Sequence, residues 1–358
     1  MSRADRVVAR LGEREVDALL VTDLVNIRYL SGFTGSSAMV VIGPDTRRFI
    51  TDFRYVERAR VEVSGFDQER APQEFAEALE HGWPEGPVRL GFEDQHVSVS
   101  QHARLRELLP DRIELVRAGD LVEAERAVKE PAEVEAIRVA AALVDDIYAW
   151  LFETGIVGRT EREVALALEE EMRRRGARGP SFPSIVASAE HGALPHAEPR
   201  DVAIVPGVLV TLDLGAEVDG YCSDCTRTWA TGELDDDLAA IYDLVLRAQE
   251  TALGAVRAGP TGREVDAVAR DARDLITAEG HGEHFGHGLG HGVGLQVHEG
   301  PRLARSATDP LVAGNVVTVE PGVYVPGRGG VRIEDLVLVT ENGCDVLSAT
   351  STALATIG

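Results

Sequence analysis

Two segments of the chain repeat the pattern of an apolar run that ends in an acidic residue, and this repetition restricts the fold more than any other feature. Residues 207–213 read Gly-Val-Leu-Val-Thr-Leu-Asp, and residues 314–320 read Gly-Asn-Val-Val-Thr-Val-Glu. In each copy a second glycine, Gly215 or Gly322, follows two residues after the acid. The apolar and β-branched residues of both runs predict strands.

A second repeat precedes the first one in the same order along the chain. Residues 160–164 read Thr-Glu-Arg-Glu-Val, and residues 261–265 read Thr-Gly-Arg-Glu-Val. A threonine with a glutamate three residues later is the capping-box signature of a helix start. The two repeats together predict a domain with duplicated halves, related by a pseudo-two-fold axis that brings paired strands of both halves to one centre.

The first 126 residues carry a different pattern, in which predicted strands and helices alternate. The elements with the strongest signals are strands at 18–22, 38–42 and 88–92 and a helix at 99–109 that Pro110 ends. An alternation of this kind is typical of an α/β domain.

The length of the chain also favours two domains, because a single hydrophobic core rarely serves 358 residues. Pro131 suits the first turn of a helix that runs through Ile147, and the character of the chain changes just before it. We therefore predict an α/β domain at residues 1–126 and a duplicated domain at residues 127–358, which makes the chain α+β overall. The first domain holds few clustered residues of catalytic type, so we expect the chemistry in the second.

The composition argues against several classes of function. A net charge of −24 disfavours nucleic-acid binding, because phosphate contacts need a basic surface. No apolar run is long enough to span a bilayer, and the first residues contain no apolar signal segment. Three cysteines fit a reducing compartment, so we expect a cytoplasmic protein without membrane contact. Lys129 is the only lysine, which argues against Schiff-base and pyridoxal chemistry.

Four acidic residues flank two predicted hairpins in the second domain. Asp213 and Asp224 lie on either side of an Asp-Gly turn, and Glu320 and Glu334 lie on either side of a glycine-rich turn. One aspartate after a strand is usually a turn or cap residue. Four acids at duplicated positions would instead converge and repel each other unless cations neutralised them. Because His291 adds a nitrogen ligand, the pattern predicts a site for two divalent metal ions.

Several short motifs carry a resemblance to a known family. They extend from about Ser181 to Asp335 and are Ala-Leu-Pro-His at 193–196, Tyr-Cys-Ser-Asp-Cys-Thr-Arg-Thr at 221–228, His-Gly-Leu-Gly-His-Gly-Val-Gly at 287–294, Val-His-Glu at 297–299, Glu-Pro-Gly at 320–322 and Gly-Val-Arg-Ile-Glu-Asp at 330–335. The set resembles the pita-bread metallopeptidases, the family of creatinase, aminopeptidase P and prolidase, and within it the proline-directed branch. The resemblance implies a pita-bread catalytic domain behind a creatinase-like N-terminal domain.

The resemblance gives each of the five predicted ligands a role. It implies that Asp213 chelates one metal, that Asp224 and Glu334 bridge both metals, and that His291 and Glu320 hold the other. A site dominated by carboxylates favours manganese, with cobalt or zinc as alternatives. Family members that only bind peptides, or that hydrolyse amidino groups without a metal, lack part of this set. The complete set therefore predicts an active metalloenzyme.

The same motifs imply roles for residues that are not ligands. His196, His287, His298 and Arg332 would contact the substrate. His196, His298 and Arg332 would also take part in catalysis, together with Glu320, which would shuttle a proton. Arg332 would either anchor a substrate carboxylate or steady a metal-bound one. The remaining histidines of this region match no motif and are interpreted as structural or exposed: His191, His281 and His284.

The implied reaction is hydrolysis of the bond between an N-terminal residue and proline in short peptides. Residues 29–37 resemble the aminopeptidase P side of the family and slightly favour a Xaa-Pro aminopeptidase over a Xaa-Pro dipeptidase, or prolidase. A methionine aminopeptidase and a catalytically silent peptide-binding module are the alternatives. The resemblance also implies a homodimer, in which the N-terminal domain of one subunit helps to close the active site of the other.

Overall fold

The computed structural model describes residues 1–71, 75–260, 274–281 and 284–358 of the chain. These residues form two compact units, Met1–Arg126 and Ala127–Gly358. The second copy of the capping-box repeat, at residues 261–265, lies outside the described residues. No described helix is long and apolar enough to cross a membrane.

The first unit is built around a mixed six-stranded sheet. Its strands are β1 (Ala18–Val21), β2 (Ala38–Gly43), β3 (Thr46–Thr51), β4 (Asp67–Arg70), β5 (Val88–Phe92) and β6 (Ile113–Arg117). Its helices are α1 (Arg3–Ala9), α2 (Leu24–Ser31), α3 (Val56–Glu62), α4 (Val99–Leu108) and α5 (Leu121–Ala127). The strand order is β4-β3-β2-β1-β5-β6, in which β2 is antiparallel to both of its neighbours and the other pairs are parallel. The three predicted strands and the predicted helix are confirmed as β1, β2, β5 and α4.

The second unit contains short strands and three long helices among its described residues. Its helices are α6 (Pro131–Thr154), α7 (Glu161–Arg174) and α8 (Asp236–Leu253). Its strands are β7 (Gly179–Pro180), β8 (Ile185–Ser188), β9 (Leu209–Leu214), β10 (Ala216–Val218), β11 (Tyr221–Cys222), β12 (Cys225–Ala230), β13 (Gly290–Gly292), β14 (Glu299–Leu303), β15 (Val316–Val319), β16 (Gly322–Val325), β17 (Gly329–Arg332), β18 (Asp335–Val339) and β19 (Cys344–Val346).

The duplicated pattern corresponds to two similar arrangements of strands. In the first half β9 lies between β8 and β12, and in the second half β15 lies between β13 and β18. All of these pairs are antiparallel. Between the two main strands of each half the chain forms a hairpin, β10–β11 in the first half and β16–β17 in the second, so both predicted hairpins are confirmed.

The repeated glycines have a conformational cause. Gly207 and Gly314, which precede β9 and β15, have backbone φ angles of 80° and 96°. Residues with a Cβ atom avoid this left-handed region, whereas glycine enters it freely. The β10–β11 turn also needs positive φ angles, 49° at Asp219 and 83° at Gly220, as expected for a two-residue hairpin turn.

The helices of the second unit cover the outer faces of the strands. Helix α6 begins at Pro131, and Thr160 and Glu163 form the predicted capping box at the start of α7. Buried residues of α6 and α7, including Val144 and Leu168, share a hydrophobic core with β9, and α8 shares another with β15 and β18. This burial leaves the opposite faces of the strands for polar residues.

Candidate active site

Alternation along two strands directs one acidic side chain of each half away from the helices. On β9, Leu212 and Leu214 lie in the core with α6 and α7, so Asp213 between them points to the other face of the sheet. On β15, Val319 lies in the core with α8, and Glu320 is the next residue of the chain. The Oε1 atom of Glu320 lies 3.5 Å from Nε2 of His291.

The other two acids lie where the strands of the two halves meet. Asp224 immediately precedes β12, and Glu334 immediately precedes β18. The backbone N–H of Glu334 donates a hydrogen bond to the Thr226 carbonyl oxygen (3.1 Å), and the Thr226 hydroxyl donates to Glu334 Oε2 (2.7 Å). Through these contacts β12 holds Glu334 beside Asp224, so one predicted ligand of each half reaches a common centre.

His291 completes the cluster from β13. One possible ligand atom each from Asp224, His291 and Glu334 lies within 4.8 Å of the others. The Nδ1 atom of His291 lies 3.1 Å from the Gly292 carbonyl oxygen, which can only accept a hydrogen bond, so Nδ1 carries the proton. Burial lowers the pKa of His291 to about 4, so the ring is neutral and Nε2 keeps a lone pair. Nε2 faces carboxylate oxygens of Asp224 (3.6 Å) and Glu320 (3.5 Å), none of which can donate to it when ionised.

Burial gives the carboxylates of this cluster unusual proton affinities. It raises the pKa of Asp224 and of Glu334 well above their ordinary values, and the charges of neighbouring carboxylates raise both pKa values further. Burial also raises the pKa of Glu320 to about 8. Without cations, therefore, these groups cannot all be ionised at neutral pH.

The residues of this cluster fit divalent cations. Oδ1 of Asp213 is buried and has no hydrogen-bond partner among the described residues. A buried carboxylate oxygen without a partner costs free energy, and a cation would satisfy it. A pair of such cations would also accept the lone pair of His291 Nε2, and their positive charge would reduce the electrostatic repulsion among the acids. Carboxylate oxygens with one imidazole nitrogen form a donor set suited to divalent first-row metals.

Arg332 makes contact with one of the predicted ligands. Its guanidinium group is buried and donates from Nη2 to Asp213 Oδ2 at 2.7 Å. It also donates from Nε to the Thr226 hydroxyl (2.9 Å), and from Nη1 to the Tyr324 hydroxyl (2.9 Å) and the Pro195 carbonyl oxygen (3.1 Å). Of the two roles that the sequence suggested for Arg332, this geometry favours support of a ligand over contact with substrate.

The three histidines that the motifs assign to substrate line one cavity next to the acids. The cavity has a volume of about 520 Å³, and its wall includes His196, His287 and His298 as well as all five predicted ligands. The ring centroids of His298 and His291 are 4.3 Å apart. His287 donates from Nδ1 to the Gly288 carbonyl oxygen (2.7 Å), so its Nε2 accepts from the Tyr324 hydroxyl at 3.0 Å. Of the three histidines left as structural or exposed, His191 is buried.

Two residues of the site were missed in the sequence. Thr226 contacts both Glu334 and Arg332, and Tyr324 contacts both His287 and Arg332. Thr226 lies two residues after Asp224, on the strand that this acid precedes, so the strand period of two could have indicated that it shares a face with the ligand. For Tyr324 the predicted hairpin could have indicated the contact with Arg332 on the paired strand, whereas no local signal marks its contact with His287.

Comparison with known proteins identifies the family. Residues 135–341 match metallopeptidase family M24, and residues 3–128 match the creatinase/prolidase N-terminal domain. The chain belongs to metallopeptidase family M24.

This M24 chain is 34% identical to the Xaa-Pro dipeptidase of Pyrococcus furiosus, over 98% of the chain and 99% of that relative. Its fold is similar to that of a Xaa-Pro dipeptidase from Bacillus anthracis, with a TM-score of 0.93 and 38% identity over 99% of both chains. It is also similar to an X-Pro aminopeptidase from Thermotoga maritima, with a TM-score of 0.87 and 34% identity over 99% of this chain and 100% of that one. The predicted fold, a pita-bread catalytic domain with duplicated halves behind a creatinase-like domain, is confirmed.

Membership of M24 also bears on the predicted cofactor. The family implies a pair of divalent metal ions, and the described acids and His291 offer a suitable group of ligands. The prediction of an active metallopeptidase is therefore supported by both the comparison and the chemistry of the site.

Proposed function

We propose that this M24 peptidase hydrolyses the bond between an N-terminal residue and proline, with Xaa-Pro dipeptides as its preferred substrates. The observation that carries this proposal is the complete set of four acids and His291 on the wall of a cavity that three further histidines line. A cavity of about 520 Å³ suits a small ligand. The relatives described above are named for activity on Xaa-Pro bonds.

The preference for dipeptides departs from the slight preference for an aminopeptidase that residues 29–37 suggested. Both the Pyrococcus furiosus relative and the Bacillus anthracis structure are called Xaa-Pro dipeptidases. The Thermotoga maritima structure is called an aminopeptidase and has the lower TM-score, 0.87 against 0.93. These relatives therefore favour the dipeptidase.

A cation on the cavity wall offers a physical basis for this length preference. Arg302 lies on β14 directly opposite His291 in the ladder, and it lines the same cavity. Burial lowers the pKa of His298, and the positive charge of Arg302 lowers it further. A cation at this place can pair with the free carboxylate of a dipeptide, which a longer peptide carries further away.

We assign the five residues of the family resemblance as the metal ligands: Asp213, Asp224, His291, Glu320 and Glu334 would hold the two ions. When bound, the two ions would supply Lewis acidity to the scissile carbonyl and an activated water. We propose manganese as the physiological metal, because carboxylates dominate the site.

The remaining steps fall to side chains of this chain. Glu320, whose pKa burial raises, is suited to hold and return the proton that the attacking water loses. His298 and His196 line the cavity next to the cluster and can donate hydrogen bonds to the substrate carbonyl and to the developing oxyanion. His287, fixed between Gly288 and Tyr324, is held at the cavity wall for contact with the peptide.

The two alternative functions receive no support from these relatives. A methionine aminopeptidase would use similar ligands, but the relatives described above are named for activity on Xaa-Pro bonds. A catalytically silent peptide-binding module would not need a full set of buried acids whose repulsion must be neutralised. The homodimer and the cytoplasmic location stay proposals, and light scattering would test the first against the chain mass of 38.5 kDa.

The proposed function can be tested with a small set of peptides. Manganese-loaded protein would be assayed with Ala-Pro, Ala-Pro-Ala, Met-Ala and Ala-prolinamide, which lacks the free carboxylate. We expect kcat/KM to be highest for Ala-Pro and lower by at least about tenfold for the amide, since a lost hydrogen bond to a charged group costs about 1.5–3 kcal/mol. A higher kcat/KM for Ala-Pro-Ala than for Ala-Pro would favour a Xaa-Pro aminopeptidase. A higher kcat/KM for Met-Ala would reject proline-directed activity.

A further inference from the structure

A buried carboxylate outside the metal cluster lies in the capping-box repeat at residues 160–164, but it takes no part in the capping itself. Glu161 is the first residue of α7 and is 0% exposed. Its Oε1 accepts hydrogen bonds from the Ser188 N–H (2.8 Å), the Ser188 hydroxyl (2.7 Å) and Arg200 Nη2 (3.2 Å). Its Oε2 accepts from His191 Nδ1 (2.9 Å), the Arg200 N–H (3.0 Å) and Arg200 Nε (3.2 Å). Each carboxylate oxygen of Glu161 thus accepts three hydrogen bonds.

Helix capping does not explain this arrangement. Thr160 and Glu163 already cap the start of α7 with their own reciprocal hydrogen bonds. Burial alone would raise the pKa of Glu161, but hydrogen bonds from Arg200 and Ser188 outweigh burial and hold the pKa below its ordinary value. The chain therefore keeps a charged group in its interior, which is unfavourable unless the donors around it are fixed in place.

All of these donors belong to one segment, residues 188–200. Ser188 ends β8 at one end of the segment, His191 lies in the short 3₁₀ helix Ala189–Ala193, and Arg200 lies at the other end. A single carboxylate thus holds both ends of the segment and a point between them. Ala189 has a φ angle of 53°, an unfavourable value for a residue with a Cβ atom, which needs such support.

The same segment forms part of the active-site wall. His196 lies within it and lines the cavity. The Pro195 carbonyl oxygen accepts the hydrogen bond from Arg332. The backbone of Gly192 packs so closely on Gly330 of β17 that a side chain at Gly330 would overlap the Gly192 carbonyl oxygen.

We propose that Glu161 is a positioning residue of the active site: by holding residues 188–200 at both ends, it places His196 against the substrate. The inference rests on the role proposed above for His196. Glu161 touches neither the substrate nor a ligand, so it acts through the segment and not on the reacting atoms. Its loss should therefore harm catalysis only as far as His196 contributes to catalysis.

A double-mutant cycle tests this dependence. Glu161→Gln keeps the size of the side chain but places an amide NH₂ against donors. In manganese-loaded protein we expect it to lower kcat/KM for Ala-Pro by at least about tenfold, the scale of a misplaced catalytic donor. In a His196→Ala background the same substitution should lower kcat/KM by less than about twofold. Glu163→Gln, which changes an exposed residue of the same helical turn, is the control and should leave kcat/KM unchanged.

Hydrogen exchange gives a readout that does not depend on activity. Amides of residues 188–200 should exchange at least about tenfold faster in Glu161→Gln than in Glu163→Gln, because the segment has lost its anchor. Arg200→Met removes only the side-chain donors at one end, and it provides the same cycle if Glu161→Gln fails to fold. We expect its loss of activity to be smaller and likewise absent in the His196→Ala background.

The possible outcomes distinguish failure of the inference about Glu161, failure of the role proposed for His196 and failure of the proposed function. Equal losses from Glu161→Gln with and without His196 would mean a general structural role and would overturn the inference. No loss from His196→Ala alone would reject the role of His196, and with it the positioning by Glu161. Absence of Xaa-Pro hydrolysis by the unaltered protein would instead reject the proposed function.

Discussion

At the scale of single residues, Arg332 illustrates what the sequence could and could not predict. Its place two residues before Glu334 suggested a role at the site. Its partners, however, come from four separate segments and include Asp213, Thr226 and Tyr324. Asp213 and Thr226 lie more than 100 residues away in the chain, and no local pattern predicts such contacts, so the support of Asp213 by Arg332 became visible only in the structure.

This difference predicts opposite effects of two substitutions. Arg332→Met removes the charged donor from buried Asp213, so we expect the metal dissociation constant to rise by about 10–100-fold, as is typical when a partner of a metal ligand is lost. His298→Ala should leave metal affinity unchanged and lower kcat/KM at saturating metal by at least about tenfold, as for the loss of a positioned donor. Chelator competition and steady-state kinetics measure the two quantities. Unchanged metal affinity in Arg332→Met would mean that Arg332 contacts the substrate and does not support a ligand. Loss of metal in His298→Ala would mean that His298 is itself a ligand.

At the scale of elements, the sequence predicted the duplicated strands and both hairpins, because apolar runs and turn residues are local signals. The register of the strands was not predictable in the same way. Asp213 pairs with Thr226 inside the β9–β12 ladder, whereas the β15–β18 ladder ends at the pair of Val319 and Asp335, before Glu320. Register depends on packing between distant segments, so similar sequences give different pairings in the two halves.

Helix α7 shows the same limit. The Thr-Glu-Arg-Glu motif correctly predicted where the helix starts, because capping is a local interaction. It did not predict which glutamate would be buried. Glu163 closes the capping box at the surface, whereas Glu161 enters the interior to meet donors from residues 188–200. Burial of a charged residue follows from the tertiary arrangement, and the sequence carries no local sign of it.

The glycine that precedes β9 provides a test at this scale. Gly207→Ala forces a residue with a Cβ atom into a φ angle of 80°, so we expect the free energy of unfolding to fall by about 1–2 kcal/mol. Gly343→Ala is the matched control, because a Cβ atom there meets no atom within 4 Å and no left-handed conformation is needed. Its effect should stay below about 0.5 kcal/mol. Urea unfolding of both variants provides the comparison, and equal stability of the two would show that the repeated glycine is not required by conformation.

At the scale of the whole molecule, the fold of the second unit brings its two duplicated halves together at a centre where buried acids repel each other. Helices on the outer faces bury apolar residues, and the inner faces collect four acids around His291. The energetic balance of the folded chain therefore depends on what neutralises these acids. In the metal-free protein the one buried cation described beside these acids is Arg332, whose direct ion pair is with Asp213, so protons must neutralise most of the remaining charge.

This dependence predicts how pH and metal removal act on stability. In the metal-free protein the pKa of Glu320 rises from an ordinary 4.5 to about 8, and those of Asp224 and Glu334 rise as well. The folded state therefore binds protons more tightly than the unfolded state, so the associated stability is present below about pH 4.5 and is lost as the pH rises through about 8.

We expect Tm of chelator-treated protein to fall between about pH 6 and about pH 8, because over this range the unfolded state has lost these protons while the folded state still holds them. Manganese should raise Tm more at the higher pH, because metal replaces the proton on the same oxygens. Glu320→Gln, which cannot ionise, is the control and should weaken the pH dependence of the metal-free protein. Differential scanning calorimetry with and without manganese measures both effects. A Tm of the metal-free protein that is constant or rises over this range would mean that the acids are neutralised in some other way.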